Sequence, residues 1–351
     1  MAIRSRTSLT VVGSLLVTLG IAAQQSGVQH PLGAPSTYRL DIAVSDQSGK
    51  AVTGLTQPDF TLLDNGVPRV LTSFTAVQGA TSPAEMLLVV DAVNTPTIDV
   101  GYQRDQIEKF LRSNDGHLTH PASFAIVTDL GVSVYNGTTT DGNALADALH
   151  HAQIGLREIN RSGGFYGASD RLALGIKALH DITNLEAKRP GRKLVVWISP
   201  GWPLLSGVGV ELDNKQQMQA FQEVMSFSAE LHDANITLYD INSWGAGEPL
   251  GRVMYYEDFL KGVTKPSQTQ LGDLGLQVLA VQSGGLTRNS NDVPGMLQDC
   301  LRDADAYYEV TFTPGPSDKA NEYHQLQVRI GKPGLSARTR QGYYSQPGPP
   351  Q

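Results

Sequence analysis

A chain of 351 residues with 40% hydrophobic residues is long enough to bury one large core and a smaller one, in about one to three domains. Its formal charge of −7 argues against nucleic acid or an anionic membrane surface as a partner, and leaves basic proteins and neutral ligands open. The single cysteine, Cys300, excludes a disulfide framework and any multi-cysteine zinc or iron–sulfur site, and reads as a small buried apolar residue.

The chain opens as a targeting segment. Arg4 and Arg6 precede an apolar stretch, Leu9 to Ala23, that ends in small residues and is short for a membrane span. Residues 1–23 read as a cleaved signal peptide, with an uncleaved anchor as the alternative; cleavage removes two arginines and takes the formal charge from −7 to −9. The expected product is exported, periplasmic or secreted, with no integral membrane span. A linker over 24–35 leads into a β module over 36–80. Tyr38 to Val44 alternates apolar and polar positions, Phe60 to Leu63 is a second strand, Asp64-Asn65-Gly66 a tight turn, and Val70 to Val77 a third strand. A module of this size rarely buries enough surface to stand alone.

Residues 84–306 alternate strand and helix. The apolar run Met86 to Val90 is a strand buried on both faces that stops on Asp91. A helix follows with Tyr102, Ile107, Phe110 and Leu111 on one face; then come an antiparallel hairpin, Ser123–Thr128 and Val132–Tyr135, and a helix from Asp141 to His151 capped by Thr140 or Asp141. Leu172, Ile176 and Leu179 mark the next helix. The strand Leu194–Ser199, a long helix Gln216–His232, the strand Ile236–Asp240 and a helix Leu271–Gln282 complete the series. This alternation predicts a mainly parallel, Rossmann-like α/β sheet with helices on both faces. Tyr307–Thr313, Tyr323–Ile330 and Ala337–Tyr344 are strands again, and residues 307–346 are expected to pair with the N-terminal module as one small β-sandwich around the inserted middle.

Open α/β sheets bind ligands at the carboxyl ends of their strands, where Asp91 lies. Asp91 with Asn94 and Thr95 offers hard oxygen donors of the kind a hydrated divalent cation accepts. This segment resembles the first metal-binding loop of von Willebrand factor type A domains, whose pattern is Asp-x-Ser-x-Ser with a Thr and an Asp from two further loops. Here Val93 replaces the middle hydroxyl, and only Asn94, one place on, could substitute. Ser169 or Asp170 stands where the resemblance puts the Thr, and Pro200 in Ser199-Pro200-Gly201 occupies the Asp place. The resemblance therefore implies a degenerate metal-ion-dependent adhesion site of Asp91, Asn94, Thr95 and Ser169, with no certain cofactor and weak Mg²⁺ binding at most.

The resemblance runs across nearly the whole chain. Val52-Thr53-Gly54-Leu55, Asp64-Asn65-Gly66, Asn94-Thr95-Pro96, Trp197-Ile198-Ser199-Pro200-Gly201 and Arg340-Gln341-Gly342-Tyr343-Tyr344 together look like the VWFA-related proteins abundant in Acidobacteria, in which a type A domain is flanked by β segments. That implies an exported, non-enzymatic binding or assembly module with a protein partner. The alternatives are a hydrolase using Asp91, Asp170 and Asp240, or an envelope protein without a ligand site. Tyr255, Tyr256 and Phe259, in the long segment Asn242 to Ser267, are a candidate partner-binding patch, against the packing of a short amphipathic helix. Neither the adjacent His150-His151 pair nor Ser199 between Ile198 and Pro200 matches a metal or nucleophile pattern.

Overall fold

The structure, a computed structural model, describes residues 37–79, 84–152, 154, 164–203, 205, 210–243, 254–315, 317 and 319–345. The expected signal segment and linker lie outside them, as do Ser162, Gly163 and the glycines at 245 and 247. Among the described residues no helix is long and apolar enough to cross a membrane.

The sheet at the centre is built from β5 (Ala84–Asp91), β6 (His117–Thr128), β7 (Gly131–Val134), β9 (Arg192–Ile198), β10 (Ile236–Asn242) and β11 (Thr287–Asn289), in the order β11-β10-β9-β5-β6-β7, with β8 (Thr139–Asp141) beside β6. β5 pairs in parallel with both β6 and β9, while β7 and β8 run antiparallel to β6. Successive residues of β5 feed opposite faces because the strand period is two. Met86, Leu88 and Val90 join Ile107, Leu145 and Leu297 on one side, and Leu87 and Val89 join Leu179, Val195 and Phe227 on the other. Covering both faces are α1 (Thr97–Leu111), α2 (Gly142–His151), α3 (Gly164–Glu186), α4 (Asn214–Asp233), α5 (Leu276–Gln282) and α6 (Val293–Asp305). This is the Rossmann-like fold expected from the alternation, and its chain order reverses between β5 and β9.

Of the two caps the sequence offered for α2, Asp141 is the one used, its carboxylate accepting from Ala144 N at 2.9 Å; other elements differ from the sequence reading. The expected helix over 271–282 begins as a 3₁₀ turn, Leu271–Leu274, and becomes α-helical only at Leu276, because Gly275 is extended and serves as N-cap. α6 was not expected at all. It starts at Val293-Pro294-Gly295, which reads as a breaker, but proline is tolerated in a helix's first turn and Asp292 accepts from Gly295 N at 3.0 Å. Cys300 on α6 is fully buried, and burial pushes its thiol well above the usual range, consistent with a packing residue.

Two antiparallel four-stranded sheets make the β-sandwich. One runs β14 (Ser336–Arg338), β1 (Tyr38–Ser45), β12 (Ala306–Phe312), β4 (Leu71–Gln78); the other runs β15 (Gly342–Ser345), β13 (Glu322–Ile330), β2 (Phe60–Asp64), β3 (Val67–Arg69). N-terminal and C-terminal strands alternate in the first sheet and meet at the β13–β2 pair in the second, so neither half has a complete sheet alone. Leu40, Ile42, Leu62, Val310 and Phe312 fill the space between. Arg192, at the start of β9, joins this layer to the parallel sheet. Its Nε lies 3.2 Å from an Asp41 oxygen, its Nη1 donates to Asp303 O at 2.6 Å, and its guanidinium sits 4.4 Å from the Tyr307 ring centroid.

On the outer face, His180 of α3 is held between two α4 carboxylates, Nδ1 to Glu230 at 2.8 Å and Nε2 to Glu223 at 2.9 Å, and stacks on Phe227. Burial alone would lower the imidazole, but the two carboxylates win and raise it from 6.5 to about 9. A raised folded value means that the imidazolium's contribution is fully present below pH ~6.5 and is lost as pH rises through about 9. Glu230 is lowered by its hydrogen bonds despite burial, so its share is lost in acid. In urea unfolding of the His180→Ala protein, the charge-dependent part of the loss should be about 2 kcal/mol near neutrality, discounted for partial exposure, and should vanish above pH ~10, leaving the pH-independent loss of the Phe227 stack.

Candidate functional site

The reversal of chain order between β5 and β9 places a crevice at their carboxyl ends, and Asp91 is the last residue of β5 there. Asp91 is fully buried. Its Oδ1 accepts from the backbone N–H groups of Val93 at 3.0 Å and Asn94 at 2.9 Å, which turns the chain sharply out of the strand. Its Oδ2 accepts from the Asn94 amide, Nδ2, at 2.9 Å and from the Trp197 indole, Nε1, at 2.9 Å. Burial pushes this carboxyl above the usual carboxylate range, and the four donors oppose that rise.

Four bonds are about what the lone pairs of a carboxylate can accept. A cation at Asp91 would have to displace the Trp197 or Asn94 donor, leaving a buried N–H unmet at a cost of about 1–3 kcal/mol. Val93 does not leave a gap where the hydroxyl of the resembled pattern would be: it packs in the core against the α3 and α4 face. Pro200 brings no carboxylate. Among the described residues Thr95 Oγ1 and Asn94 Oδ1 are buried without a hydrogen-bond partner, but both are neutral oxygens and restore none of the missing charge. Ser169 is half-buried on α3 and makes none of the four bonds to Asp91. The donor set does not fit a divalent cation, and no group of three or more His, Cys, Asp or Glu suited to a metal occurs among the described residues.

What holds this loop is an aromatic pair. Trp197, in the centre of the sheet, meets Trp202 edge-on with ring centroids 5.6 Å apart. A Cβ on Gly175 would lie 2.7 Å from the Trp202 ring, so only glycine lets α3 come this close. Between the two indoles, Gly201 has φ +86° and donates its N–H to Ser199 Oγ at 3.0 Å. The loop after β9 is thus braced by Trp202 and a serine–glycine turn. Trp197 as Asp91's partner is the functional contact that sequence reasoning missed. The available signal was an indole N–H in a fully buried strand, which requires an acceptor.

The aromatic candidates separate. Phe259 is buried in van der Waals contact distance of Gly272, which corrects its assignment to a partner-binding patch: it is a packing residue of the 3₁₀ turn Tyr255–Phe259. Tyr256 is half-buried and accepts from Thr287 Oγ1 at 3.0 Å, and the Tyr255 ring lies 5.1 Å from Phe259. Asp170 is exposed on α3 and Asp240 is buried on β10, so the three carboxylates of the hydrolase alternative differ in setting, and Asp91 is already committed to its donors.

No family model matches the chain, and no curated protein matches it. Among solved structures, human COPII-coat protein Sec24c aligns with 81% of this chain and 49% of its own, at 11% identity and a TM-score of 0.32. The SpRpn10 VWA domain aligns with 54% of this chain and 92% of its own, at 14% identity and a TM-score of 0.28. The pilus adhesin SpaC from Lactobacillus rhamnosus GG aligns with 84% of this chain and 49% of its own, at 11% identity and a TM-score of 0.35. The chain thus spans about half the length of the Sec24c and SpaC chains. The fold stands on the chain's own strand order and two helical layers. That fold is a Rossmann-like, mainly parallel α/β sheet.

Proposed function

We propose that this chain is an exported protein-binding or assembly module that engages its partner, without a metal ion, at the carboxyl edge of its parallel sheet. The observation that carries the reading is the inversion of that edge: its acid is spent internally on four N–H donors, while aliphatic side chains, Ile98 and Leu130, stand out in solvent beside it. Export rests on Arg4, Arg6 and the apolar stretch Leu9 to Ala23. An edge of this kind binds by shape and apolar contact, with no open coordination position for a partner's acidic side chain to complete.

The test is capture of partners from an envelope extract with and without EDTA, alongside calorimetric titration of Mg²⁺, Mn²⁺ and Ca²⁺. Capture should be indifferent to EDTA, reduced several-fold by Ile98→Asp, and accompanied by no heat from any of the three ions. Capture that EDTA abolishes, or a metal heat that Asp91→Ala removes, would overturn the metal-free reading.

A further inference from the structure

The partner's chemistry follows from what surrounds Asp91, given the binding reading above. Soluble proteins seldom leave large apolar side chains clustered in water unless something covers them. Four of those left out here belong to one edge. Ile98, 83% exposed, is in the first turn of α1, directly after the Asp91 loop. Leu130, 82% exposed, is at the tip of the β6–β7 hairpin, three residues beyond Val127, which is in register with Asp91. Tyr166 is the third residue of α3, whose other end feeds the amino end of β9; at ~1.5 Å per residue this helix carries Tyr166 the length of the sheet to its carboxyl side. Met254 precedes Tyr256, which is bonded to Thr287 at the level of Asp240 near the end of β10.

The charge on these same segments is mostly of one sign. Residues 92–100, 128–131, 164–171 and 254–258 contain Asp99, Asp129, Asp170, Glu257 and Asp258 against a single cation, Arg171, and Arg288 on β11 is 3.6 Å from an Asp299 oxygen. Asp170, Glu257 and Asp258 are exposed, Asp99 and Asp129 half so, and each lies within four residues of one of the apolar side chains. With acids outnumbering basic groups on these segments, such an edge repels acidic partners and draws basic ones.

We infer that the carboxyl edge receives a cationic amphipathic segment of a protein partner, its aliphatic side chains seated among Ile98, Leu130, Tyr166 and Met254 and its lysines or arginines paired with the surrounding carboxylates. The apolar contacts hold the segment. The carboxylates select its sign and steer its approach, so binding is salt-sensitive and indifferent to chelators.

The probes are two labelled helical peptides with the same leucine face, one rimmed with lysine and the other with glutamate, titrated by fluorescence anisotropy against the full chain. The lysine peptide should bind at least about ten-fold more tightly than the glutamate peptide, and weaken as NaCl rises from about 0.05 to 0.5 M. Leu130→Asp and Asp129→Lys should each weaken it several-fold, whereas Glu322→Lys on the β-sandwich, a matched charge change elsewhere, should not; Leu130 and Glu322 are exposed and Asp129 half-exposed, and unchanged thermal unfolding confirms intact folds. Equal binding of both peptides, equal loss from Glu322→Lys, or no binding of either overturns the inference. So does a dimer in sedimentation that Leu130→Asp dissolves, which would make a second copy the occupant. Metal-free binding of the glutamate peptide alone would sink the charge argument and keep the binding reading; binding that EDTA abolishes would sink that reading itself.

Discussion

Asp91→Ala should lower stability by about 3–5 kcal/mol, seen as a fall in the urea midpoint with little change in slope. The alanine leaves the Trp197 indole, the Asn94 amide and two backbone N–H groups without the acceptor they now share. Each unmet buried donor costs about 1–3 kcal/mol, and water entering the space left by the carboxylate recovers part of the sum. Asp91→Asn should cost less, about 2 kcal/mol, because one amide oxygen still accepts while the amide nitrogen faces a donor. A surface metal ligand would behave in the opposite way. Removing it would be nearly neutral in EDTA, and millimolar Mg²⁺ would stabilise the parent by mass action. The expected result is no Mg²⁺ shift in the parent and a full loss in the variant in either buffer. Trp197 provides a second readout, since loss of its hydrogen bond in a dry site should move its fluorescence emission.

The sequence made this strand legible and its chemistry illegible for the same reason. A short, Val-rich apolar run ending on Asp reads as a doubly buried strand, and the alternation around it admits few topologies besides the doubly wound sheet. Pro200 could be read directly, because a proline has no ligand to give. Trp197 could not, because its bond to Asp91 spans 106 residues and exists only once β5 and β9 pair. Nothing local at either residue encodes it. α6 was hidden differently: the breaker dipeptide Pro294-Gly295 sits within the helix's first turn, where proline does no harm, while the period that marks it, Met296, Leu297, Cys300, Leu301 and Ala304, lies beyond. Phe259 and Leu130 show the reverse error. An aromatic in a long loop suggested a surface patch and is buried, whereas a lone leucine after an Asp in a hairpin suggested nothing and is among the most exposed side chains.

Asp64→Ala should be as damaging as Asp91→Ala, about 3–5 kcal/mol, and should act on the β-sandwich first. Its sequence reads as the opening of a tight turn, and Asn65 and Gly66 do take φ of 51° and 79° as such a hairpin requires. The side chain itself points inward and is fully buried. Oδ1 accepts from His324 Nδ1 at 2.8 Å, and Oδ2 accepts from Arg69 Nε at 3.2 Å, Gly315 N at 3.0 Å and the Tyr343 hydroxyl at 3.2 Å. One carboxylate therefore ties β2 to β13, to β15, to the end of β3 and to the turn after β12. Because each sandwich sheet mixes strands from both ends of the chain, these cross-links stand in for the local contacts that a contiguous module would have. Deleting the acceptor leaves the buried His324 and Gly315 N–H without it, where an unmet group costs more than the bond it lost, while the part-exposed Arg69 guanidinium can turn to water. Tyr343→Phe removes one of the four donors with its acceptor still engaged, and should cost only about 1 kcal/mol. Hydrogen exchange separates the two layers: in the Asp64→Ala protein, amides of β2, β13 and β15 should lose protection while those of β5, β9 and β10 keep theirs. Equal loss across both layers would mean that the sandwich and the parallel sheet unfold as one cooperative unit, with the Arg192 junction strong enough to couple them.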